Sequence, residues 1–159
     1  MGPGLLLKAG LRGGFSLTVF GWSQVVMDIQ PLVVILSGHG HLHGFTHTYA
    51  GASLLALLSA LSGKYLAERG LKIVGNARFL PITWVVAFVS AAVGTLSHVV
   101  LDSFMHNDVE PFWRFSAANG LVGVISVSAL HWTCLGSGVV GALLWLVLVR
   151  QQARAGRSL

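Results

Sequence analysis

The 35 consecutive residues from Phe115 to Val149 carry no formal charge, and this run constrains the fold more than any other feature of the chain. At ~1.5 Å of rise per residue and ~30 Å of hydrocarbon, it exceeds one membrane crossing and is awkwardly short for two joined by a turn. Composition agrees with a membrane setting, because 54% hydrophobic and 9% charged residues lie far outside soluble averages. The expected fold is therefore all-α: a single membrane domain over residues 1–159, folded as a polytopic helix bundle.

Charge divides the rest of the chain into spans. Residues 13–36 are apolar apart from scattered Ser, Thr and Gln and one charge, Asp28, and they suffice for a first crossing. Pro31 argues against continuous helix there, so Met27 to Pro31 is expected to break and turn into the protein interior. Residues 46–63 form a second span whose Ala50, Gly51, Ala52, Ser53, Ala56, Ser59 and Ala60 suit close helix packing in lipid. Residues 80–102 form a third, with Trp84 as an interface anchor. The long uncharged run then divides into a short interfacial or partly buried helix over 117–130 and a fourth span over 132–149.

The basic residues orient this bundle. Lys64, Glu68, Arg69, Lys72 and Arg78 mark residues 64–78 as a cytoplasmic loop. With about four transmembrane helices, nine of the ten Lys and Arg residues lie on the cytoplasmic side with both termini, and only Arg114 lies opposite. Clustering at the ends and in one loop favours membrane orientation over nucleic-acid binding. Lys8 and Arg12 precede an apolar stretch as in a signal peptide, but that stretch runs on too long and no small-residue cleavage site follows, so a retained first span is expected. The single cysteine, Cys134, gives neither an intramolecular disulfide nor a thiolate metal site.

This topology brings two polar segments to one side. The first, Ser37 to Thr48, holds His39, His41, His43 and His47 among glycines; the second, Ser97 to Glu110, holds His98, His106 and three of the chain's five acids, Asp102, Asp108 and Glu110. Residues four apart share a helix face, so His98 and Asp102 project together, and His43 and His47 have the same spacing. Imidazole nitrogen and carboxylate oxygen are ligands for zinc or another first-row divalent metal. Asp28 completes a set drawn from three segments, since an acid at membrane depth costs ~2.5–3.5 kcal/mol and is functional by default. Asp108 and Glu110 are candidates for a general base or for partners that fix ligand tautomers. His39 and His41 read as solvated loop residues, and His131, Trp132 and Cys134 as packing. Phe112, Trp113 and Phe115 form an interfacial belt, with Arg114 toward phosphate headgroups.

Three short motifs carry a resemblance. Met27-Asp28-Ile29-Gln30-Pro31, then His43-Gly44-Phe45-Thr46-His47-Thr48, then Ser97-His98-Val99-Val100-Leu101-Asp102 resembles, in order and spacing, the membrane-bound metal-dependent hydrolase family of small bacterial and archaeal inner-membrane proteins. That resemblance implies a metal-binding role for Asp28, His47, His98 and Asp102. The chain departs from the family pattern at Gln30, where a second acid is usual, and at Leu42 and His43, where His-Arg is common.

The resulting expectation is a multi-pass inner-membrane hydrolase with a divalent metal, zinc, in which metal-activated water attacks a phosphoester or lipid-linked substrate among membrane lipids. The alternative is a non-catalytic metal-binding protein or an accessory or structural subunit of an oligomer or complex. Clustering of the ionisable residues at one end argues against ion conduction, which needs them along the whole path.

Overall fold

A computed structural model describes residues 2–154 and residue 156. Five α-helices make up most of the chain: α1 (Gly2–Leu11), α2 (Leu17–Ser37), α3 (Tyr49–Ile73), α4 (Trp84–Met105) and α5 (Val127–Arg154); no strand occurs among the described residues. The last four are long and apolar enough to cross a membrane.

Hydroxyl side chains start three of these helices. Ser16 Oγ accepts from Val19 N, Thr48 Oγ1 from Gly51 N and Thr83 Oγ1 from Val86 N, each satisfying one of the N–H groups that a helix start leaves without an internal partner. Helices α2, α3 and α4 pack as a trio, and their shared seam is made of small residues. Ala52, Ala56, Ser59 and Ala60 of α3 and Ala87, Ser90, Ala91 and Thr95 of α4 are buried, whereas Leu54, Leu57, Leu58 and Leu61 face outward. This is the arrangement expected where lipid removes the hydrophobic drive and close backbone approach supplies contact. At Gly94 the approach is tightest, because a Cβ there would collide with Ser23 Oγ of α2.

Helix α5 packs chiefly along α1, in the same direction. Gly2 lies beside Cys134 and Gly138, Leu5 and Leu6 lie against Gly141 where a Cβ would strike their backbone, and Lys8 reaches the Trp145 ring. Lys8 Nζ also donates to the carbonyls of Arg12 and Phe15, both at 2.7 Å, and burial lowers the pKa of its ammonium.

Four sequence expectations change. Helix α2 runs unbroken through Pro31. The proline removes one N–H donor, yet in a water-poor setting the surrounding turns gain more by keeping their own hydrogen bonds than by opening. The expected loop at 64–78 is helical to Ile73, and the Lys64–Glu68 pair at 2.5 Å, one turn apart, supports the extension. Residues 117–126 form turns rather than a helix: Leu121 N donates to Asn119 Oδ1, while Asn119 Nδ2 donates to the carbonyls of Ser103 and His106 at the end of α4. The short helix beside the four spans is α1 instead, and α5 begins at Val127, taking in His131 and Trp132.

The antiparallel order of α2, α3 and α4 gathers Lys8, Arg12, Lys64, Arg69, Lys72 and Arg78 at one end, and the α5 residues beyond Trp145 bring Arg150 and Arg154 to it. Arg157 lies outside the described residues. The histidine-rich connection between α2 and α3 and the connection after α4 meet at the opposite end, where His43 touches Asp108.

Candidate metal centre

Helix α2 supplies Asp28, the turn before α3 supplies His47, and α4 supplies His98 and Asp102 one turn apart. His47 and Asp102 are buried, His98 nearly so, and Asp28 is 63% exposed at its side chain. One oxygen, Asp102 Oδ2, lies 3.3 Å from His47 Nε2 and 3.2 Å from His98 Nε2; Asp28 Oδ1 lies 3.3 Å from the same His98 nitrogen.

The hydrogen bonds behind the two histidines fix which nitrogen carries the proton. Gln24 Nε2 donates to the Gly94 carbonyl at 2.8 Å, which turns Gln24 Oε1 toward His98 Nδ1, 3.0 Å away. An amide oxygen only accepts, so Nδ1 holds a hydrogen, and in the neutral imidazole His98 Nε2 presents a lone pair. The second histidine follows the same logic. Gln30 Nε2 donates to the His41 carbonyl, so its Oε1 accepts from the Thr46 hydroxyl, leaving that hydroxyl oxygen to accept from His47 Nδ1 at 3.0 Å. In the neutral imidazole His47 Nε2 is a lone pair too, and it is fully buried and without a hydrogen-bond partner.

With both imidazoles neutral, two lone pairs converge on carboxylate oxygens with no donor among them, an arrangement that calls for positive charge between them, supplied by a metal ion or by protons on the imidazoles. The separations are informative. Four ligands at ~2.0–2.1 Å from a tetrahedral cation stand about 3.3 Å from one another, and the His47–Asp102, His98–Asp102 and His98–Asp28 spacings, three of the six pairs, are 3.2 to 3.3 Å. Asp28, His47 and His98 form one group able to hold a metal ion, and His43, His47 and Asp102 form an overlapping one.

A second polar cluster adjoins the first. His43 Nδ1 lies 2.9 Å from both oxygens of Asp108, and the His43 and His106 rings stack with centroids 4.3 Å apart. Burial opposes charge on Asp108, but the hydrogen bond from His43 and the charges of His43 and His106 outweigh it and hold the carboxyl below its usual range. Beside these residues Phe45 meets Trp113 edge-on and Tyr49 meets Phe112, and all but Tyr49 are exposed.

The structure thus brings together Asp28, His47, His98 and Asp102, with His43 adjoining, and joins His43 to Asp108. The Glu110 side chain makes no hydrogen bond or ion pair among the described residues, and His39 bonds only within its own loop, through Ser37. Sequence reasoning missed Gln24, Gln30 and Thr46, the groups that orient the ligands. One signal was present: Gln24 lies one helical turn before Asp28. The Gln30 position, odd for a ligand, has a purpose as a clamp on Thr46. Asp28 also shares its exposed helix face with Val25, Ile29 and Leu32. A cavity of about 410 Å³ lined by Lys8, Phe15, Arg78, Phe79 and Trp145 is at the other end of the bundle.

No protein-family model, no curated protein and no solved structure matches the chain.

Proposed function

We propose that the chain is a metal-dependent hydrolase of a bacterial or archaeal inner membrane, binding zinc through Asp28, His47, His98 and Asp102 and cleaving a phosphoester in a lipid-linked substrate. The observation that carries this reading is the pair of imidazoles held through Nδ1 with both Nε2 atoms facing Asp102, a donor set that suits zinc when the imidazoles are neutral. Order and spacing of the three motifs support it independently. Bound zinc supplies a Lewis acid that lowers the pKa of a ligated water toward ~7.

The chain's own residues do the rest. Gln24 and Thr46 hold the imidazoles in the ligating tautomer, and burial of His47 and Asp102 excludes water from the inner side. Asp28 faces outward, which makes the outer side the open one. We assign the proton acceptor to the free Asp28 oxygen rather than to Asp108 or Glu110, because both Asp108 oxygens face His43 and Glu110 lies outside the ligand groups. Exposed Phe45, Phe112 and Trp113 beside the site suit acyl chains and headgroup depth. Basic residues at the far end orient the site to the non-cytoplasmic side.

The test is metal analysis of detergent-purified protein followed by a screen of phosphoester lipids. Wild type retains zinc and His98→Ala and Asp102→Ala hold less of it, while Asp28→Ala loses turnover. Metal-free wild type, or full activity in Asp28→Ala, would overturn the reading.

A further inference from the structure

We infer that His43, His106 and Asp108 form a second divalent-cation site beside the first, so that the end of the bundle holds a pair of cations. The inference rests on the zinc reading above for its neighbour but on separate residues for itself. Each of the three offers a ligand atom, and these atoms lie within 4.8 Å of one another. His43 is the hinge between the clusters: its ring centroid is 5.0 Å from His47 and 4.3 Å from His106, and it also groups with His47 and Asp102.

The site is built rather than incidental. Its residues come from two connections, and both are pinned. Gln30 holds the His41 carbonyl two residues before His43. Asn119 holds the His106 carbonyl at 3.2 Å, His106 N donates back to Asp102 O at 2.8 Å, and Tyr49 N donates to the Pro111 carbonyl at 2.9 Å. Val109, next to Asp108, is fully buried. The His43 side chain is only 7% exposed although it carries a polar ring; it bonds the Asp108 carboxylate on one side and stacks on the His106 ring. A simple His–Asp hydrogen bond accounts for His43 and Asp108 but leaves the stacked His106 without a purpose; a shared cation accounts for all three. Two nitrogens and a carboxylate are donors for zinc or cobalt(II), with the exposed edge of Asp108 left toward solvent. Paired cations at ~3.5–4 Å recur in phosphoester hydrolysis, where together they hold the attacking and leaving oxygens.

The experiment is equilibrium titration of the full-length, chelator-stripped protein in detergent with zinc alone and with cobalt(II) alone, counting bound metal after desalting. The expected result is two equivalents in wild type and one in both His106→Ala and Asp108→Asn, with helix content by circular dichroism unchanged. One equivalent in wild type, unaltered by these substitutions, would overturn the second site and leave the first standing. No bound metal would remove both. Loss of both equivalents in Asp108→Asn with helix content intact would indicate one indivisible site and would also refute the pair.

Discussion

The two ends of this bundle handle charge in opposite ways. At the basic end Lys64 pairs with Glu68 one turn away and lies over Trp84, and Lys8 lies over Phe79 and Trp145 while donating to two carbonyls. At the histidine end the polar atoms point at one another, and His47 Nε2 and His98 Nε2 both meet the same Asp102 oxygen. The contrast separates charge that orients a protein in a membrane from charge arranged to hold something. Basic side chains can snorkel to water on flexible stems, whereas buried imidazoles locked by amides cannot move away from an unfavourable neighbour.

Substitutions can break this contrast, and the largest effect is expected at Gly94. Gly94→Val drives a side chain into Ser23 Oγ and displaces the carbonyl that orients Gln24; overpacking of this kind costs ~1–3 kcal/mol. Thermal unfolding in detergent should show the loss of stability, and metal affinity should fall with it. Gln24→Ala comes next. It removes the acceptor at His98 Nδ1 but leaves the ligands in place, so zinc affinity should drop ~10–100-fold with little change in unfolding temperature. Equal metal affinity in this variant would mean that the amide does not set the tautomer. The smallest effect is expected at the other end, where Lys64→Met removes a pair in which both side chains retain some exposure and should cost less than ~1 kcal/mol, with zinc content unchanged.

Helix number and type were legible because membrane helices announce themselves by uninterrupted apolar length, and the His98–Asp102 pair was legible because four-residue spacing is a local property. The convergence of Asp28 and His47 on that pair followed from counting spans and placing two connections on one side. What could not be read depended on register between helices. Gln24 comes to support His98 only because Gly94 lets α2 approach α4 at one particular height. The α1–α5 pairing has the same origin, since Gly138 and Gly141 give no hint of which chain segment will use the space they leave. Residues 117–126 misled for a different reason: they are apolar enough for helix, but Asn119 gives its side chain to the end of α4 and to its own turn. Pro31 misled in the reverse direction, being a breaker by water-based rules in a place where water does not compete.

The exposed position of Asp28 has one further consequence for the proposed enzyme. Asp28 lies nine residues before the end of α2, or ~14 Å along the axis, on a face it shares with Val25, Ile29 and Leu32. The open side of the centre thus looks out through the flank of the bundle rather than through its tip. A substrate anchored by acyl chains can arrive sideways, by two-dimensional diffusion, without leaving its leaflet. Turnover would then follow the mole fraction of that lipid in the bilayer, and diluting vesicles into more buffer would leave the rate per enzyme unchanged.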